Sequence, residues 1–270
     1  MSLQKIKIQS GLFLYATFFL FAAYAESSVS WSGQVLIDNI IRIPFVQIPP
    51  GTFLMGSEKA FSDEKPAHQV HIQKTFWMMT TEVTRKQYHA VMKKGAVKNE
   101  ENLLPITNVT WQEALDFCKK LTAQEQKAGR IPKNYIFTLP SETQWEYACR
   151  AGTTHAFAGD LDLMGWYCLN SKTRIKLVGR KQPNAWGLYD MHGNVWEWCL
   201  DAWHLNYIGA PVDESVWANR LESKRVIRGG SWKTKAVRCR SSSRSYQEND
   251  DASKIIGFRI VLTRKPIFLN

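Results

Sequence analysis

The sequence predicts an α+β fold in one domain, on three observations. Helix-start signals and helical periodicity fall before residue 150. From Ala151 onward, short apolar pieces alternate with Gly, Asn, Asp and Ser clusters, the mark of strands and ordered loops. No fixed-period repeat and no low-complexity linker divides the chain. An apolar content of 44% with 11 Trp indicates a well-filled core rather than disorder.

Each element can be justified in order. Lys5 and Lys7 precede an uncharged run from Gly11 to Ala22 and an Ala23-Tyr24-Ala25 end. That is the layout of a cleavable secretory signal over residues 1–25, and the run is short for a membrane span. The mature protein is then expected in the periplasm or outside the cell, with no membrane span, an uncleaved anchor being the alternative. Residues 26–42 read as an extended lead-in and 43–264 as the domain, followed by a short tail at 265–270. Ile43 to Ser57 reads as a hairpin about Pro49-Pro50-Gly51. Residues 57–68 are loop-like, and Val70–Ile72 and Phe76–Met79 resume strand character. Thr84-x-x-Gln87, Thr110-x-x-Glu113 and Ser141-x-x-Gln144 each fit a capping box, in which hydroxyl and N3 side chain satisfy the first free amides of a helix. Ala114, Phe117, Cys118 and Leu121 then mark one buried stripe, and Trp145, Ala148 and Cys149 another. Lys224 to Trp232 is a strand ending in a Gly-Gly turn, and Gly257 to Leu262 the final strand.

The 35 Lys and Arg against 24 Asp and Glu leave a net charge of +11. Such a balance can meet anionic lipid, polysaccharide or nucleic acid, though ordinary surface charge explains it as well. The five cysteines (118, 149, 168, 199, 239) form no C-x-x-C pair, which weighs against a zinc ribbon or a thioredoxin-type site. There is no H-E-x-x-H, no G-x-S-x-G and no phosphate-cradling P-loop.

Residues 184–201 concentrate the unusual chemistry. Gly187, Gly193 and Asn194 suit tight turns, four aromatics anchor the segment, and Asp190 and Glu197 sit among main-chain carbonyls. Carboxylates with carbonyls are the ligand set of a hard cation such as calcium, while turn-capping or pairing with arginines is the plainer use of the same acids. Residues 224–244 carry eight basic side chains and no acid. They read either as structural arginines paired with the acids of the central segment or as an anion-binding surface. Nucleic acid is not the expected ligand, because Trp232 and Tyr246 are the only aromatics interleaved there.

Pro50-Gly-Thr-Phe-Leu-Met-Gly56, Glu82-Val-Thr84, Val109-Thr-Trp111, Leu139 to Tyr147, Gly187 to Trp198, Arg225 to Trp232 and Gly257-Phe-Arg259, in this order, resemble the formylglycine-generating enzyme family, also called the sulfatase-modifying-factor domain. The resemblance covers residues 43–264. It implies a C-type-lectin-like fold, one compact domain with little regular secondary structure and calcium holding its loops. The family's calcium loop falls on Asp190, Gly193, Val195 and Glu197, with Met191 as a backbone ligand. A second calcium site is not expected, since Ser171–Gly179 holds Lys172, Arg174 and Lys176 and no carboxylate.

The family oxidises a substrate cysteine to formylglycine with oxygen and monovalent copper held by two thiolates five residues apart. Those positions fall on Thr234 and Cys239, and Ser231 matches an active-site serine. An alcohol at 234 is a poor replacement for a thiolate, so copper is not expected. Cys239 has three readings: a disulfide with Cys199, a buried free thiol, or a thiol made reactive by Arg238 and Arg240. The expectation is an exported monomeric scaffold, binding a protein or an anionic ligand through Trp232, Thr234, Arg238, Arg240 and Arg244. The alternative is a divergent active oxidase with Cys239 and Ser231 as its catalytic residues.

Overall fold

The structure, a computed structural model, describes residues 34–37 and 41–265. The expected leader at 1–25 and residues 266–270 of the tail lie outside the described residues. Among the described residues no helix is long and apolar enough to cross a membrane.

Among the described residues, three sheets and four α-helices pack about a main core cluster. The largest sheet runs β1 (Gln34–Ile37), β2 (Ile41–Ile48), β5 (Phe76–Met79), β11 (Val261–Arg264) and β6 (Tyr135–Thr138), every neighbouring pair antiparallel. β5 is buried along its whole length, which explains its unbroken apolar run Phe-Trp-Met-Met. A second sheet runs β10 (Ile256–Gly257), β7 (Trp196–Ala202), β8 (Lys224–Arg228) and β9 (Arg244–Glu248). The third is the two-stranded pair β3 (Gly51–Met55) and β4 (His68–Ile72). The hairpin expected around Pro49-Pro50-Gly51 is therefore a correction: β2 pairs with β1 and β5, while β3 pairs with β4. Two successive prolines fix φ and lack N–H groups, so the chain leaves one sheet for another instead of folding back on its own ladder.

The helix starts fall where expected. α1 (Arg85–Met92), α2 (Trp111–Lys127) and α3 (Glu142–Arg150) each begin with a complete capping box, at Thr84, Thr110 and Ser141. A short α4 (Leu161–Met164) follows in the stretch read as strands and loops. α2 buries Ala114, Phe117, Cys118 and Leu121 on one face. All nine residues of α3 are buried. Its Trp145, Ala148 and Cys149 join Ile48, Phe76, Met78, Met191, Val226 and Val261 in the main core cluster. α3 is thus the central post on which the sheets and the loop 184–195 converge.

A helix wholly inside a protein cannot leave its charges unpaired, because an isolated buried ion costs several kcal/mol. Glu142 and Glu146, one turn apart, are met by arginines from β8 and β9. Arg244 grips Glu142 through Nε and Nη2, both at 2.8 Å. Arg228 bonds Glu146, which also takes Arg150 Nε at 2.9 Å and the Gly56 amide at 2.9 Å. Burial pushes the Glu146 carboxyl up, but Arg150 and Arg228 outweigh it and hold the group below the usual carboxylate range.

Candidate functional site

Two loops, joined through the backbone, make up the site. Gly193 N donates to Gly229 O at 2.8 Å and Trp232 N donates to Asn194 O at 2.8 Å, so the segment 190–197 and the turn 229–239 are one unit. Gly229 and Gly230 both have positive φ, 94° and 80°. A Cβ on Gly230 would stand 2.6 Å from Cys239 Sγ, so only glycine lets the thiol close over the turn.

Within that turn Thr234 and Cys239 face each other, Oγ1 to Sγ at 3.5 Å. The Thr234 hydroxyl accepts from Ser231 N at 2.9 Å and donates to Ser231 O at 3.0 Å. With its one proton committed, it can only accept from the thiol. Ser231 and Cys239 are both fully buried. Burial pushes the Cys239 thiol up to about 11, with the neighbouring Cys168 adding to the rise, so at neutral pH it is not a thiolate. Arg238 and Arg240 do not activate it. Arg238 lies over the Phe61 ring at 4.0 Å, and Arg240 is spent on Glu64 at 2.8 and 2.5 Å.

The expected disulfide is also corrected. All five cysteines are free thiols. Cys199 sits on β7 inside the main core cluster, whereas Cys239 turns toward Thr234. Cys168 was singled out by no motif, yet its amide donates to Thr234 O at 3.0 Å, so it borders the same turn. His192 anchors the turn from below. Its Nε2 accepts from Ala158 N at 3.1 Å, which leaves the proton on Nδ1 to be donated to Cys239 O at 2.8 Å. Burial brings its pKa down to about 4 and keeps it neutral, a holding residue rather than a base.

The expected cation loop is only partly suited to a cation. Asp190 adopts φ 58° and accepts from Gly179 N at 2.6 Å through Oδ2, leaving Oδ1 buried. Glu82 lies beside it. Its Oε1 accepts from Asn194 Nδ2 at 3.0 Å, and its Oε2 is also buried. Burial pushes Glu82 well up, with Asp190 and Glu197 adding to the rise, and burial brings Asp190 to about 6. The two carboxyls meet each other through a side-chain hydrogen bond, and such a buried acid pair is a donor set that fits a hard cation.

Glu197 does not fit. Arg259 occupies both of its oxygens, and Trp145 Nε1 adds a third bond at 2.8 Å. Glu197, expected as a ligand, is thus engaged as a structural partner of Arg259 and Trp145, and Glu82, which the expected set did not include, is the carboxyl that stands beside Asp190. The Glu82-Val-Thr84 motif carried that signal. Among the described residues no three or more His, Cys, Asp or Glu side chains form a metal cage by themselves. Two carboxyls alone do not make a calcium shell, so the expected set needs the main-chain oxygens of Met191, Gly193 and Val195 as well.

The expected anionic-ligand surface has two of its three arginines engaged elsewhere. Arg244 is fully buried on Glu142, and Arg240 is held by Glu64. They are structural, but their partners lie on α3 and on the loop after β3, not in the central segment. Trp232, Thr234 and Arg238 remain half-buried beside the turn.

Residues 43–264 match the family described as the sulfatase-modifying factor enzyme 1-like domain. A chaperone protein named LppX from Paenibacillus barcinonensis is 26% identical over 265 residues, 80% of this chain and 86% of that protein. The formylglycine-generating enzyme of Streptomyces coelicolor is 30% identical over 175 residues, covering 57% of this chain and 51% of that enzyme, about half its length. Among solved structures, variable protein 1 of Treponema denticola superposes with a TM-score of 0.75 at 25% identity, over 86% of this chain and 98% of the other.

Proposed function

This chain belongs to the sulfatase-modifying factor enzyme 1-like family, and from that premise we propose an exported, calcium-holding domain that binds a ligand or partner protein and lacks copper-dependent cysteine oxidation. The observation that carries the proposal is Thr234 Oγ1 facing Cys239 Sγ at 3.5 Å, where the family resemblance calls for two sulfurs. Monovalent copper prefers soft thiolates; the Thr234 hydroxyl is hard, neutral and already bonded to Ser231 on both sides. The turn does not fit a two-thiolate copper centre. A relative named as a chaperone rather than an oxidase supports a binding role. Export rests on the residue pattern at 1–25, and calcium on the buried carboxyl pair of Asp190 and Glu82.

One observation favours a second reading, a divergent oxidase acting on a protein cysteine or a small molecule. Cys168 borders the same turn and opposes ionisation of Cys239, so a second sulfur stands near the first. Titration with Cu(I) against a competing chelator separates the two readings. Wild type is expected to take up no stoichiometric Cu(I), and Thr234→Cys to bind one equivalent. One tightly held equivalent in wild type, lost in Cys168→Ser and in Cys239→Ser, would establish the oxidase reading instead.

A further inference from the structure

An open cleft of about 730 Å³ lies beside the turn, bounded by α1, the loop at 96–98, the stretch 173–175 and Trp232. Val97, Ile106, Ile175 and the Trp232 ring give it apolar surface. Charge is unevenly placed around that surface. Lys98, Arg174 and Lys254 line the cleft and are exposed, and none of them takes part in an ion pair among the described residues. The fourth lining cation, Arg85, is paired with Glu101, the one carboxylate of the lining. The surplus is felt nearby: burial, then the charges of Arg174 and Lys172, bring the Lys176 ammonium below its usual range.

Unpaired cations over an apolar surface define a ligand class. A neutral apolar molecule leaves the charges unused, and a bare inorganic anion leaves Ile175 and Trp232 uncovered. The cavity has the volume of a small-molecule site. We propose that this cleft binds a small organic anion, a carboxylate or phosphate group joined to an apolar body, with Arg174, Lys254 and Lys98 meeting the charge and Trp232, Ile106 and Ile175 covering the body. This names the ligand class for the binding role proposed above and rests on that role. The cations that line this cleft stand on three segments other than 238–244, where the anionic surface was expected from the sequence.

Calorimetric titration of the intact protein with octanoate, octyl phosphate, octanol and inorganic phosphate tests the proposal and separates the two headgroups. Octanoate or octyl phosphate is expected to bind about ten-fold tighter than octanol, with affinity falling as salt rises. Arg174→Ala/Lys254→Ala, two exposed positions, is expected to lose about ten-fold in anion affinity and none in octanol affinity. Equal affinity for octanol and the anions, or an unchanged double variant, overturns the proposal. Inorganic phosphate binding as tightly as octyl phosphate overturns it as well, because the apolar surface would then have no part. Cu(I) titration of the same sample keeps the two proposals apart: failure of the anions with no copper uptake rejects this ligand class alone.

Discussion

Arg259 holds Glu197 by two parallel hydrogen bonds, Nε to Oε2 at 2.6 Å and Nη2 to Oε1 at 2.7 Å, with both side chains fully buried. The same guanidinium donates to Met79 O at 3.2 Å and Tyr189 O at 2.9 Å, tying β5 and the central loop to the segment before β11. Removing one partner of such a pair leaves a buried charge with nothing to meet it. Arg259→Met is expected to cost about 3–5 kcal/mol in urea unfolding, and adding Glu197→Gln to recover part of that loss. A single variant within about 0.5 kcal/mol of wild type would show that the pair is not structural.

Calcium is expected to raise the melting temperature of chelator-treated protein, since a ligand bound only by the folded state stabilises it by about 2.7 kcal/mol at 100 times its Kd. Glu82→Gln and Asp190→Asn should each abolish the response. Glu197→Gln should keep it, at a lower starting temperature. Loss of the response in Glu197→Gln but not in Glu82→Gln would return the ion to the ligand set expected from the sequence.

Asp201 supplies a test by pH. Its carboxyl accepts from Glu142 N at 2.7 Å and Trp217 N at 2.9 Å, yet burial, with Glu142 adding to it, pushes its pKa up to about 7. The folded state therefore holds the proton more tightly than the unfolded state. The stability it contributes is present below about pH 4 and is lost as pH rises through about 7. The difference in unfolding free energy, Asp201→Asn minus wild type, is expected to move in the variant's favour across that window, by on the order of a few kcal/mol. A pH-independent difference would show that Asp201 is ionised throughout.

Thiol counting under denaturing conditions, without reductant, is expected to return five per chain, matching the five free cysteines. A count of three would restore a disulfide, and peptide mapping that finds Cys239 in it would place that sulfur elsewhere.

What could be read from the sequence was local. A capping box spans four residues, so Thr84, Thr110 and Ser141 announced α1, α2 and α3 without reference to anything distant. The stripe Ala114, Phe117, Cys118 and Leu121 declared its buried face for the same reason. Partner choice was not legible. Eight basic residues between 224 and 244 were evident, but Arg228, Arg240 and Arg244 meet Glu146, Glu64 and Glu142 across 82, 176 and 102 positions. The strands after Ile43 and Gly51 were identified, yet no local signal told that each would pair with a different sheet. Within the site, the Thr234 and Cys239 juxtaposition followed from the motif. Glu82 beside Asp190 and Cys168 beside Thr234 are products of tertiary folding.

The place of β11 between β5 and β6 has a bearing on how the protein reaches its native state. The largest sheet cannot close until Val261–Arg264 is available, so its two halves wait on contacts of very long sequence separation, which makes for slow folding. During synthesis, β5 and β6 present unpaired edges, the kind of surface that invites aggregation or a chaperone. Truncation just ahead of Val261 would leave those two edges open for good.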